Sequence, residues 1–542
     1  MRINKILQGN YKSCEAYYQL KLPIDISHDV PADDPVLLLS TFVEGLELTD
    51  LYSTYERIRK NQATPRQMLK ILIYAYMNHI YSSRAIETSC RRDMNFMYLL
   101  EGSPAPDHAT IARFRTLHFS QCHKTILASM TGVLLDLGEI SGQVIFIDGT
   151  KIEANANKYT FVWKKGVLKN QAKLTSHLPE FVAECEELYG ITIVHHDQIS
   201  LHTLKRLRKK LYRLKKEEEI SFVYGSGKRK PNLQRSMEQT EKYISRLQEY
   251  SKKIHVCGPR NSYSKTDPDA TFMRMKEDYM MNGQLKPGYN VQHGVDSEYV
   301  TWLNVSWHPA DSRTLIPFIK DMEQHLGFKY RDIVADSGYE GEENYCFIEE
   351  NGQEAYIKPN NYEISKTRKY KTDISRRENM QYDAGSDCYT CRNGKQLRAT
   401  LERRTKTDSG YPKTVTTYEC QDCTGCPYKS QCIRGNNCNT PMEQRNKHLA
   451  VSKVLEEKRK ADLERILSDY GTRLRMNRSI QAEGSFADVK EDMGFRQYLC
   501  RGNTNVLAES ILLAMAHNMN KLHNRIQKKR TGQHLFKLRK SA

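Results

Sequence analysis

Apolar residues recur at helical spacing along much of the chain, and in a few short stretches they run without a break. From Thr64 the text TPRQMLKILIYAYMNHI opens on a Thr able to cap and a Pro at the first helical position, then repeats apolar residues every three or four positions, which predicts a helix. SSRAIETSCRRDMNFMYLL and, after the break GSPAPD, HATIARFRTLH continue the pattern, so capped helices alternate with turns up to about residue 137. Helix-turn-helix packing that turns Arg84, Arg91, Arg92, Arg113 and Arg115 toward DNA phosphates fits this text. A solvated helical unit with ordinary surface arginines fits it too. Residues 1 to about 55 show no clear period.

The unbroken run QVIFID predicts a strand buried on both faces and ending at Asp148. The text from there to about residue 280 does not read as sheet. Leu201, Leu204, Leu207, Leu211 and Leu214 recur every three or four positions among Lys and Arg, which predicts a basic amphipathic helix within a helical hairpin or coiled-coil insertion. Its charged face is either solvated or laid on a DNA backbone. GYNVQHGVD and EYVTWLNVSWHP predict an antiparallel hairpin around Asp296 and Ser297, SRTLIPFIKDMEQHLG a helix closed by Gly327, and RDIVADSGYEG a second short strand ending in an acid, Asp336. Without the insertion, these elements make a mixed sheet with helices, an α/β layer architecture.

Composition adds a partner to this picture. At 542 residues the chain exceeds one ordinary core, so a catalytic body with a separate N-terminal domain and at least one insertion is expected. Lys and Arg number 83 against 65 Asp and Glu, a formal net charge of +18, which suits a polyanion, although anionic membranes and acidic proteins attract the same charge. No apolar run approaches the roughly 18 residues of a membrane span, and the N-terminus lacks a secretory signal, so an intracellular protein without a membrane partner is expected. Seven of the 14 Cys (Cys388, Cys391, Cys420, Cys423, Cys426, Cys432 and Cys438) fall close together. In a reducing compartment such a cluster reads as a metal site before a disulfide framework.

Two acids, Asp148 and Asp336, thus end apolar strands, and each is followed by a small residue, Gly149 or Ser337. Carboxylates at strand ends can converge in a crevice, and small neighbours admit a phosphate backbone; a strand-terminal Asp is also a common turn or cap residue. A helix over Asn477 to Asp492 would set Glu483, Phe486 and Lys490 on one stripe, where Phe486 implies partial burial. A buried carboxylate and ammonium call for a counter-charge, which a metal ion or phosphate would supply. The long stretch between Asp336 and Glu483 implies an insertion. CYTCRNG and YECQDCTGCPYKSQC, separated by a β-like segment, look like a zinc ribbon, with Cys388, Cys391, Cys420 and Cys423 as the neatest ligand set, Cys426 and Cys432 competing, and free or redox-active thiols as the alternative.

Taken in order, IDGTKIEANANKYTFVWKK at 147–165, IVADSGYEGEENY at 333–345 and NRSIQAEGSFADVKEDMGFRQYLCRG at 477–502, preceded by SRAIETSC and PDHATIARFR, resemble bacterial insertion-sequence transposases of the Asp-Asp-Glu (DDE) type. The resemblance covers most of the chain from about residue 60 to 520. It implies a ribonuclease H-like catalytic domain behind a helical N-terminal domain, with Asp148, Asp336 and Glu483 as the metal-binding triad for two Mg²⁺ ions, Mn²⁺ able to substitute, and Lys490 as the basic residue seven positions after the Glu. Many relatives carry an Arg four residues before the Glu and a Tyr three before that. This chain has Ser479 and Met476 there, with Arg478 and Arg475 one residue away. Phosphate contact is expected of Arg478, Arg475, Lys151, Arg113 and Arg115.

The expected organisation is a helical DNA-binding domain at 1–137, catalytic segments at 138–165, 281–365 and 446–522, a basic helical insertion at 166–280, a Cys-rich zinc-ribbon insertion at 366–445 and a basic tail at 523–542. The resemblance further implies a cytoplasmic, nucleoid-associated enzyme that binds its element's terminal inverted repeats and target DNA, pairs the two ends as a homodimer, cleaves at the ends and joins the 3′-OH to the target. A metal-dependent nuclease without strand transfer, a catalytically inactive DNA-binding relative, and a helical scaffold that binds proteins through residues 160–255 are the alternatives.

Overall fold

The computed structural model describes residues 30–58, 61–195, 198–225, 227–275, 283–435 and 440–536. Cys438, residues 1–29 and residues 537–542 of the expected basic tail lie outside the described residues.

A mixed sheet of six strands forms the body, in the order β4-β5-β1-β7-β8 with β6 also paired to β5. The strands are β1 (Val144–Glu153), β4 (Thr271–Arg274), β5 (Leu285–Asp296), β6 (Tyr299–Ser306), β7 (Asp332–Ala335) and β8 (Glu354–Ile357). β7 runs parallel to β1 and to β8, whereas β5 is antiparallel to β1, β4 and β6. The β5–β6 turn is made by Ser297 and Glu298, both with positive φ (53° and 71°), a pairing whose twist matches the flanking strands. Just before it, the buried Asp296 carboxylate accepts from the Ser141 and Gly142 N–H groups at 2.8 Å, which fixes the entry into β1.

Alternation along β1 assigns its two faces. Ile145 and Ile147 join one large core with the N-terminal helices and the helices Leu315–Leu326 and Asn503–Gln527, while Val144 and Phe146 pack with Val334, Tyr356, Ile466, Tyr470, Leu474 and Ala482 on the other face. The N-terminal helices therefore share their core with the sheet, where the sequence suggested a separate domain. Helix Pro65–Met77 begins with the expected Thr64 cap, completed by Gln67. Its Tyr76 reaches Glu509 of the Asn503–Gln527 helix at 3.3 Å.

Two substructures stand out from this body. Helices Lys164–Tyr189, Leu201–Glu217 and Asn232–Cys257 enclose a core of their own around Leu178, Leu204, Leu207, Leu211, Leu233 and Met237, so the leucine stripe faces inward as its spacing predicts. The sheet reaches into the span expected to be helical. β2 (Phe161–Trp163) pairs with β3 (Ser262–Ser264), and β4 joins the central sheet. The second substructure is an antiparallel sheet in the order β13-β12-β11-β10-β9, comprising β9 (Gln381–Asp383), β10 (Cys388–Thr390), β11 (Gln396–Lys406), β12 (Pro412–Cys420) and β13 (His448–Val451). Its last strand lies past the expected boundary at 445.

The start of the expected basic tail is docked on the body. Arg525 is buried against Glu139 at 3.0 Å and Phe536 packs on Phe146. Among the described residues no helix is long and apolar enough to cross a membrane.

Candidate active site

Asp148 does not end its strand. β1 runs on to Glu153, because β5 pairs with it as far as Glu153 after β7 has stopped. The parallel ladder ends at Ile147 opposite Ala335, so the next residues on the two strands are Asp148 and Asp336. The acids therefore emerge side by side where the sheet loses a strand, a place at which one edge of β1 opens while its other edge stays hydrogen-bonded. By alternation both side chains belong to the face that carries Val144, Phe146 and Val334, the face covered by the C-terminal helices.

Glu483 reaches this place on a helix of uneven pitch. Helix Asp469–Arg478 continues through a π-helical turn at Ser479–Glu483, a short α segment at Gly484–Ala487 and a second π turn at Asp488–Asp492. A π turn takes in one more residue than an α turn, and such turns are frequent at functional sites. Arg478 and Glu483, five positions apart, are brought together by it: Arg478 Nη2 donates to Glu483 Oε1 at 2.7 Å, and Nη1 donates to Asp148 Oδ2 at 3.2 Å. The regular stripe expected over Asn477 to Asp492 is accordingly altered. Phe486 is buried, Lys490 half-buried and Glu483 exposed.

Burial raises the Asp148 pKa. The Arg478 guanidinium and the Gly149 N–H (2.8 Å) oppose the rise, and the negative charges of Asp336 and Asp311 add to it. Among the described residues no group of three or more His, Cys, Asp or Glu stands ready-made around a metal ion. Arg478 spans Asp148 and Glu483 instead, and it supplies the positive charge these carboxylates need.

Five residues that the sequence did not single out complete the floor. Asp311, in the turn after β6, accepts from Asn290 Nδ2 at 2.7 Å and Gln292 Nε2 at 3.1 Å. The buried Tyr339 donates to Gln292 Oε1. Its pKa is raised by burial and then by the charges of Asp311, Asp148 and Asp336, so this phenol sits among three carboxylates. Gly149 leaves room for these groups: a Cβ would strike the Gln292 amide and come within 2.7 Å of Asp311 Oδ1, so one of those side chains would have to shift. His293 pairs in register with Asp148, stacks on Phe486 at 4.2 Å and meets Ser485 Oγ at 3.1 Å, so it seats the helix that carries Glu483. Burial lowers its pKa to about 3, which keeps the ring neutral. Only tertiary register distinguishes these residues from ordinary strand and turn text.

The basic residues divide. Lys358, Arg475 and Arg478 line a small cavity beside Val334 and Ala335. Arg475 also donates to Tyr362 Oη at 2.6 Å and lies over that ring. Lys151 follows Asp148 on β1, with Nζ 3.2 Å from the Arg274 carbonyl. Arg84, Arg91, Arg92 and Arg113 are exposed on the N-terminal helices. Arg115 corrects the reading that set it toward DNA. It is buried, and its guanidinium donates to Tyr76 Oη, Tyr81 O and Ser83 Oγ and lies 3.9 Å from Glu509.

The thiols divide as well. Cys391, Cys420, Cys423, Cys426 and Cys432 line one cavity. Cys388 does not join them: its sulfur lies 3.0 Å from Ser386 Oγ, and strand alternation turns it away from Cys391.

Comparison with known proteins matches residues 24–117 to the family described as Transposase domain (DUF772) and residues 390–523 to the family described as Transposase DDE domain. The second segment contains Glu483 and Arg478; Asp148 and Asp336 lie outside both. No curated protein matches the chain. Two transposase families on one chain, matched on either side of a sheet that sets two acids side by side, support its recognition as an insertion-sequence transposase of the DDE type.

Proposed function

We propose that this protein binds the terminal inverted repeats of an insertion sequence as a homodimer, cleaves DNA at the element ends and joins the freed 3′-OH to target DNA. The observation that carries the reading is that Asp148 and Asp336 directly follow the last paired residues of two parallel strands, with Glu483 tied to Asp148 through Arg478. The strand order, with β5 antiparallel between β6 and β1 and the set β1-β7-β8 parallel, supports a ribonuclease H-like catalytic domain.

The donor set is all carboxylate oxygen, which fits Mg²⁺ or Mn²⁺. Asp148, Asp336 and Glu483 would hold two such ions, and when bound these stabilise the charge that builds on the attacking and leaving oxygens of an in-line displacement. Arg478 then loses its role as counter-charge to the acids and becomes free to pair with a DNA phosphate, a group its planar fork suits. Lys151, Arg475, Lys490 and the exposed Arg113 supply further phosphate contacts. Tyr339, Gln292 and Asp311, bonded side chain to side chain, pack against Gly149, so Asp148 keeps its aim while DNA approaches.

The test is Mg²⁺-dependent nicking and joining of a linear DNA bearing the element end. Glu483→Gln is expected to bind this DNA with unchanged affinity and to lose both nicking and joining. Normal cutting by Glu483→Gln sinks the triad. Nicking without joining by the wild type identifies a nuclease instead, and binding without cutting an inactive relative.

A further inference from the structure

The catalytic reading leaves the cysteine cavity without a role. We propose that Cys391, Cys423, Cys426 and Cys432 form a structural zinc site that ties the Cys420–Ile433 loop to the β9–β13 sheet.

The backbone presents these thiols from three turns. Cys391 opens the β10–β11 turn, where its carbonyl accepts from Gly394 N at 2.9 Å and its N–H donates to Lys395 O at 2.9 Å. Cys423 and Cys426 bracket a tight turn in which Gly425 takes φ +65°, the left-handed backbone that a short Cys-x-x-Cys loop needs if both sulfurs are to face one point. Cys432 closes a single helical turn, its N–H donating to Tyr428 O at 2.9 Å. Cys391, Cys423, Cys426 and Cys432 all line one cavity, reached from three separate turns.

Cys388 separates from this set, whereas Cys420 adjoins it and lies against Cys423. Cys420 lines the same cavity, ends β12 and, at 2% exposed in the apolar core of the sheet, is the most enclosed of the five thiols. Cys388 points elsewhere, as described above. The neatest reading of the sequence, two Cys-x-x-Cys pairs built on Cys388 and Cys420, is thereby replaced by one pair, Cys423 and Cys426, with single thiols from the turns on either side.

Lys395 and Lys447 also line the cavity, and Lys447 donates to the Cys432 carbonyl at 3.0 Å. Cations there offset the negative charge of a four-thiolate site. The sulfurs line a cavity, but among the described residues no three of them are placed to hold a metal ion as they stand. Gripping an ion with Zn–S bonds near 2.3 Å takes rotation of the half-buried Cys391, Cys426 and Cys432 side chains. A four-ligand site has no open position for a substrate, so its role is to hold the loop.

The experiment measures zinc by plasma emission in the full-length protein purified under reducing conditions. One zinc per chain is expected in the wild type and in Cys388→Ser, and less than a tenth of that in Cys426→Ser and in Cys432→Ser. Replacement by Cd²⁺ is expected to give the near-ultraviolet thiolate charge-transfer band in the wild type and in Cys388→Ser only. If the two loop variants do not fold, chelation of the wild type gives the same information, because about four additional thiols should then react with Ellman's reagent. Wild-type protein without zinc, zinc retained in both loop variants, zinc lost from Cys388→Ser, or no thiols released by chelation would overturn the proposal.

Discussion

Arg115→Ala separates a structural role from a DNA-contacting one. The Arg115 guanidinium donates to Tyr76 Oη at 3.0 Å, Tyr81 O at 3.3 Å and Ser83 Oγ at 3.4 Å, and it is the counter-charge of Glu509, whose side chain is 0% exposed. Glu509 keeps its bonds from Leu499 N, Cys500 N and Tyr76 Oη when Arg115 is removed, but it becomes a buried charge without an ionic partner. Breaking a buried pair from one side costs about 3–5 kcal/mol, and that is the expected loss of stability near pH 7.5.

The loss should depend on pH. Burial already raises the Glu509 pKa above its ordinary value of 4.5, and Arg115 holds it down. Without Arg115 it rises further, so the folded variant binds a proton that the unfolded chain does not hold. Its stability is therefore greatest below the unfolded pKa and declines as pH rises through the folded value. Urea unfolding followed by far-ultraviolet circular dichroism should show a deficit that shrinks between pH 7.5 and pH 5. The double variant Arg115→Met with Glu509→Gln should regain a large part of it. A stability within about 1 kcal/mol of wild type, together with weaker DNA binding and a smaller salt slope, would refute this reasoning and return Arg115 to the phosphate-contacting set.

Three further outcomes follow from the same geometry. Asp462, buried beneath Ile357 N and Tyr345 Oη, has its pKa raised by burial to about 7, so its contribution to stability is fully present below about pH 4 and is lost as pH rises through 7; Asp462→Asn should flatten that decline in unfolding measurements between pH 5 and 8. Gly149→Ala should cut nicking at least about tenfold at unchanged circular dichroism, because the new methyl displaces the Gln292–Asp311 pair; wild-type rates would show that this floor tolerates displacement. Arg478→Gln removes the counter-charge from Asp148 and so raises the Asp148 pKa further, and Mn²⁺ binding, followed by electron paramagnetic resonance, should then fall off at a higher pH than in wild type; an unshifted profile would separate Arg478 from Asp148 in solution.

Elements whose signal is local were legible in the sequence. The Thr64 cap and Pro65 fix the start of a helix, the leucines from Leu204 to Leu211 fix the buried side of another, and the apolar run before Asp148 and the one before Asp336 each mark a buried strand. In each, the residues that make the element also carry its period, so no distant partner is needed to read it. The pairing of Asp148 with Asp336 was suggested by their equivalent positions at the ends of apolar runs, and Glu483 by resemblance.

What only the tertiary structure decided depends on partners far away in the chain. β1 continues past Asp148 because β5, more than a hundred residues later, supplies hydrogen bonds that β7 does not. Arg115 has the same local text as a surface arginine, and its burial is set by Glu509 on the last long helix. Asp311, Gln292 and Tyr339 meet Gly149 through strand register, and Cys391 and Cys388 part company because a strand turns alternate side chains to opposite faces. The sequence by itself determined which segments become helix or strand and which carry acids, thiols and cations. Packing decided which of those groups share a space, because burial, register and charge pairing are properties of residues brought together by the fold.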